Sequence, residues 1–127
     1  MTLRHGWFGL ALVVLVGCTS RPIVNVNEAP VVTAGKQATM ADVQTAIVRA
    51  GAGLGWQMMP VRPGLVAGRL ELRTHVAVVD VTYDTRAYSI KYKESVNLDA
   101  QGGNIHKNYN GWIENLDRGI RTELLRQ

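Results

Sequence analysis

The amino-acid sequence predicts an α+β fold: a two-layer sandwich of one helix, an antiparallel meander of three to four strands, and a C-terminal helix. Three observations predict it. Apolar residues recur at helical spacing near both ends of residues 39–127, and apolar and polar residues alternate in the segments between them. The connections between the alternating segments are too short for the crossovers that parallel strands need.

Upstream of that region lies a targeting segment. Arg4 and His5 precede an apolar stretch from Trp7 to Val16. A positive region followed by about 10 apolar residues is the pattern of a signal peptide, and it is short for a spanning helix. The stretch ends in Leu15-Val16-Gly17-Cys18, and Cys18 is the only cysteine in the chain. This ending resembles the lipobox of bacterial lipoproteins. The resemblance implies that a diacylglyceryl group alkylates the Cys18 thiol, that residues 1–17 are cut away, and that the new amine is acylated. The residue types suit that chemistry. A thiolate is the side-chain nucleophile for thioether formation, small neighbours let a peptidase approach the backbone, and two or three acyl chains anchor stably where one binds marginally. Thr19 follows the cysteine. In Gram-negative lipoproteins a residue other than Asp at that place implies transfer to the outer membrane.

Residues 18–38 read as the lipidated N-terminus and a flexible tether. The stretch TSRPIVNVNEAPVVTAGKQ has two prolines, no aromatic residue and no helical period. About 19 flexible residues have a root-mean-square reach of roughly 25 Å, which would float the domain clear of the headgroups. The alternative is that Pro30-Val31-Val32 docks as an edge strand.

The single folded domain is then residues 39–127. Thr39-Met40-Ala41-Asp42 has the form of a capping box, with Asp in place of the preferred Glu. Met40, Val43, Ile47 and Ala50 follow at helical spacing, and the glycines from Gly51 to Gly55 are expected to end the helix. Trp56 to Met59 is a short apolar run before the turn at Pro63-Gly64. Leu65 to Arg73 sets Val66, Leu70 and Leu72 against Arg69, Glu71 and Arg73, a half-buried strand. Val76 to Tyr83 is a β-rich run ended by Asp84-Thr85, and Ala87 to Lys93 sets Tyr88, Ile90 and Tyr92 against Ser89, Lys91 and Lys93. After a glycine-containing loop, Asp99 to Asn104, the residues Tyr109, Trp112, Ile113, Leu116, Ile120 and Leu124 step by three and four into one apolar stripe.

Composition bounds the function classes. Of 127 residues, 46% are hydrophobic and 19% charged, ordinary for a globular chain, and the formal net charge is +4. The basic residues are scattered and alternate with acids, as in Arg69, Glu71 and Arg73, so they read as a solvated face. A nucleic-acid partner is not expected. With Cys18 lipidated, no disulfide is available within the chain, and the core must hold by apolar burial.

No cofactor or metal is expected either. Downstream of Cys18 the histidines are His75 and His106, too few for a closed zinc site without scattered carboxylates. Gly51-Ala52-Gly53-Leu54-Gly55 follows a helix instead of joining strand to helix, so it does not read as a phosphate loop. A Ser95–His106–Asp117 triad can be written down, but no Gly-x-Ser-x-Gly elbow accompanies it. Trp56, Trp112 and the tyrosines read as core and helix–sheet contacts.

The most individual stretch runs from Tyr88-Ser89-Ile90-Lys91-Tyr92 through Ser95-Val96-Asn97-Leu98 to Ile105-His106 and Tyr109-Asn110-Gly111-Trp112. It resembles the C-terminal halves of a group of small proteobacterial lipoproteins of uncharacterised function. The resemblance implies an envelope location and this order of elements, and lends no activity. Tyr88, Tyr92, Ser95, Asn97, His106, Tyr109 and Asn110 are thus the candidate surface for a ligand or partner. The competing reading has Ser95 and Asn97 satisfy backbone groups at a strand end, with His106 and Asn108 serving the helix start.

Together these features lead to a lipid-anchored envelope lipoprotein, on the periplasmic face of the outer membrane before the inner, whose non-enzymatic domain binds an envelope protein through a free strand edge. The alternative is a binder of a glycan or lipid headgroup, or a weak hydrolase, using a polar pocket at Ser95 and His106.

Overall fold

The computed structural model describes residues 19–127, so Cys18 and the signal peptide lie outside the described residues. Strands β1 (Ser20–Pro22) and β2 (Val26–Pro30) precede helix α1 (Met40–Gly53). Strands β3 (Gln57–Arg62), β4 (Leu65–Leu72), β5 (His75–Tyr83), β6 (Ala87–Val96) and β7 (Asn104–His106) follow, and helix α2 (Lys107–Leu124) comes last. The predicted α+β order of helix, antiparallel meander and C-terminal helix is present. The meander β3 to β6 belongs to a five-stranded antiparallel sheet of order β2-β6-β5-β4-β3, and β1 pairs with β7 in a second, two-stranded sheet.

The helices cover one face of the larger sheet. From α1 the buried residues are Val43, Ala46, Ile47, Ala50 and Gly51, and from α2 they are Tyr109, Ile113, Leu116, Ile120 and Leu124. They pack on Val66, Leu70, Ala77, Val79, Val81, Tyr88 and Ile90 of the strands in one core. Each large apolar side chain so buried stabilises the fold by roughly 1.5–3 kcal/mol relative to exposure. The opposite face has no helix over it among the described residues.

The start of α1 is the predicted capping box. Asp42 N–H donates to Thr39 Oγ1 at 3.1 Å, and Thr39 N–H donates to Asp42 Oδ2 at 3.0 Å. Met40 is exposed and Ala46 takes its expected place in the core. The glycine run ends the helix as expected: α1 runs through Gly51 to Gly53, and Gly55, at φ +88°, makes the turn. Gly51 has a packing role, because a Cβ there would lie 2.3 Å from Cγ and Sδ of Met58. Helix and strand β3 approach this closely only over a residue without a side chain.

The expected tether is corrected. Residues 19–31 are stitched into the domain along their length. Lys107 N–H donates to the Thr19 carbonyl at 2.7 Å, Ile23 N–H to Gly103, and Val31 N–H to Arg86. Strand β2 adds to β6 as an edge strand; it starts at Val26 and reaches into the Pro30-Val31-Val32 segment considered for that role, pairing Pro30 with Ala87. The physical reason is that an unpaired β6 would leave main-chain donors and acceptors beside the core, and this segment satisfies them. The folded unit therefore starts well before Thr39.

Candidate functional site

Strand β6 carries most of the expected site, and a bulge decides where its side chains go. Val78 opposes Glu94 while Val79 opposes Tyr92, so Lys93 is an extra residue on β6. The bulge resets the alternation. Tyr92 and Ser95 thereby share the helix-facing side, and their hydroxyls lie 2.9 Å apart. The Tyr92 ring meets Tyr109 of α2 edge to face, with centroids 5.6 Å apart. The Tyr109 hydroxyl is buried and has no hydrogen-bond partner among the described residues. Burial, and then the neighbouring Tyr92, push its ionisation well above the ordinary tyrosine value.

Tyr88 stands further along β6 and donates to the Asp117 carboxylate of α2. Asp117 in turn meets Arg121 at 2.9 Å. Burial first, and then the Asp117 hydrogen bond, raise the Tyr88 pKa far above the ordinary range, so the phenol stays protonated.

Asn97 ends the strand in the left-handed region, at φ +57°. Its amide donates to Thr74 Oγ1 at 2.7 Å, and its carbonyl accepts from His75 Nδ1 at 2.6 Å. The His75 ring is tilted against Trp112, with centroids 6.5 Å apart.

His106 is the N-cap of α2. Its Nδ1 accepts from Asn108 N–H at 3.2 Å, which leaves that nitrogen without a proton. Asn110 uses both ends of its amide on the N-terminal segment. Its Oδ1 accepts from Val24 N–H at 3.0 Å, and its Nδ2 donates to the Pro22 carbonyl at 2.8 Å.

The structure therefore brings Tyr92, Ser95 and Tyr109 together and sends the others elsewhere. Tyr88 pairs with Asp117, Asn97 closes the turn at Thr74, and His106 and Asn110 hold the start of α2. Ser95 and His106 sit in different sheets, and no hydrogen bond joins them among the described residues. The Ser95 hydroxyl faces a tyrosine where a nucleophile would need a base. The described residues hold no group of three or more His, Cys, Asp or Glu placed to share a metal ion.

Sequence reasoning missed the partners Thr74, His75 and Asp117, and the role of Asn25, whose Oδ1 accepts from Tyr92 N–H at 2.9 Å. Asn25 and Asn110 did carry a signal. Asparagine competes for main-chain groups wherever it stands, although its spacing says nothing of which strand it will meet.

The uncovered face of the sheet offers a different kind of site. Register places Met59, Ala67, Asp80 and Lys91 in one row across β3 to β6. Beside it lies a groove of about 270 Å³ whose lining includes Gln57, Met59, Ala67 and Val78 together with the charged Arg69 and Glu94. Met59 and Val61 are 68% and 54% exposed, large apolar side chains turned to solvent. The free edge at β3 is interrupted, since Pro60 has no N–H to give and the register shifts between Pro60 and Arg62. No protein family, curated protein or solved structure matches the chain.

Proposed function

We propose that this chain is a lipid-anchored lipoprotein of the bacterial envelope, on the periplasmic face of the outer membrane, whose domain is a non-enzymatic interaction module for another envelope protein. The observation that carries the reading is the sheet face that no helix covers among the described residues. It combines exposed Met59 with a groove lined by Ala67 and Val78 and by charges of both signs, Arg69 and Glu94. Apolar centres with polar rims are how proteins recognise one another. Because Pro60 breaks the row of main-chain donors on β3, side chains of the face, and not a continuous added strand, make the contact.

Photo-cross-linking in living cells tests this. Probes at Met59 and Lys91, which share a row on the face, should yield the same protein adduct. A probe at Glu114, exposed on α2, should yield none. Adducts absent from both face positions in a lipidated, folded sample would remove the basis for this reading.

A further inference from the structure

We infer that one end of the domain rests directly on the bilayer, with Arg73 and Lys107 against the phosphates of lipid headgroups. The inference builds on lipidation of Cys18 and fixes which surface the anchored domain turns to the membrane.

The geometry follows from the chain. Cys18 is bonded to Thr19, so their Cα atoms lie about 3.8 Å apart. Thr19 is already held by the main chain of Lys107 at 2.7 Å, and Ser20 to Pro22 pair with His106 to Asn104. A tether of 19 residues would allow roughly 25 Å of travel, and here the slack is a single residue. The lipid must leave the protein at the corner formed by β1, β7 and the first turn of α2.

That corner belongs to a definite end of the molecule. His106 N–H donates to the Leu98 carbonyl, and Asn97 next to it bonds Thr74 and His75 at the β4–β5 turn. The turn bearing Arg73 therefore shares the anchored end. The β5–β6 turn at Arg86 is at the other, about 30 Å away along the nine residues of β5 at ~3.4 Å each.

The surface chemistry of the anchored end fits a headgroup layer. Arg21, Arg73 and Lys107 are exposed there, with Asp99 the nearby carboxylate, while Arg69 and Glu71 bond each other at 2.9 Å one step inward. Leu72 and Val96, 47% and 58% exposed, flank the turn. Exposed cations with apolar neighbours are the residue types that lie at a membrane interface.

Spin labels on the full, lipidated protein in vesicles of phosphatidylethanolamine and phosphatidylglycerol test the orientation. Lipidation blocks the native thiol, so Ala100→Cys, Asn108→Cys and Arg86→Cys each offer one labelling site and leave Arg73 and Lys107 intact. Collision with a nickel-chelating lipid headgroup should be several-fold stronger at 100 and 108 than at 86. Ten Gly-Ser residues inserted between Cys18 and Thr19 should erase the difference. Equal collision at all positions in a lipidated, vesicle-bound protein overturns the orientation and leaves the lipoprotein reading standing. Recovery of a chain whose mass shows residues 1–17 retained and Cys18 unmodified overturns both.

Discussion

The Tyr109 hydroxyl sits in the core against the Tyr92 ring without a partner among the described residues, whereas Tyr88, equally buried, spends its hydroxyl on Asp117. The two tyrosines should respond in opposite ways to loss of that oxygen. An unsatisfied buried hydroxyl costs its desolvation, on the order of 1–3 kcal/mol, while removing half of a made bond to a charged group leaves the other half stranded. Tyr109→Phe is expected to leave stability unchanged or raise it by up to about 1 kcal/mol, and Tyr88→Phe to lower it by about 1–2 kcal/mol. The midpoint of urea unfolding at constant slope checks both. Destabilisation by Tyr109→Phe as large as that by Tyr88→Phe would show the Tyr109 oxygen to be bonded.

At the scale of elements, α1 begins on a reciprocal pair. The Thr39 main chain, and next its hydroxyl, hold the Asp42 carboxyl below its ordinary value of 3.8. A carboxyl whose folded value is depressed stabilises the fold above its unfolded value and loses that contribution as pH falls through the folded one. The first turn of α1 should therefore loosen below about pH 4. Hydrogen exchange at residues 39–43 should rise in acid ahead of residues in α2, and Asp42→Asn should remove the pH dependence. Uniform exchange across both helices over that range would contradict it.

This cap was legible in the sequence because its two residues are local and their spacing is the mechanism. So were the α2 stripe and the alternation of β4 to β6, since periodicity reports a buried face directly. Strand β2 was not. Only Ala29 of its five residues is buried, and the segment is held by the Asn25 and Asn110 amides and by main-chain bonds that no apolar period records. The bulge at Lys93 was hidden for the same reason: an extra residue shows only against the partner strand. The candidate site suffered most. Its tyrosines were read as core and helix–sheet contacts, which Tyr88 and Tyr109 are, but Ser95, His106 and Asn110 were grouped by closeness in sequence, and register separates them.

On the scale of the whole molecule, the folded unit includes the segment that composition assigned to a linker. Deleting residues 19–38 would expose the β6 edge, including the buried Ser89, which accepts from Glu28 N–H at 2.9 Å. Each kcal/mol lost shifts the midpoint of a domain this size by about 4–8 °C. A chain starting at Thr39 is thus expected to melt at least roughly 10 °C lower than one starting at Thr19, since several main-chain pairings go at once. Calorimetry on the two purified chains measures it. Equal melting temperatures would mean that the segment is merely laid on the surface.

Under the proposed lipid anchoring, the proline in β3 has a further consequence. Molecules held in one plane meet far more often than in bulk, at an effective concentration set by their anchors. An open strand edge under such crowding invites neighbours to zip together into ribbons. Pro60 withholds a donor in the middle of β3, and the opposite border, β2, is short and carries an irregularity of its own. Neither border can template a growing array, so copies anchored as proposed would stay dispersed and free to diffuse however densely they were packed.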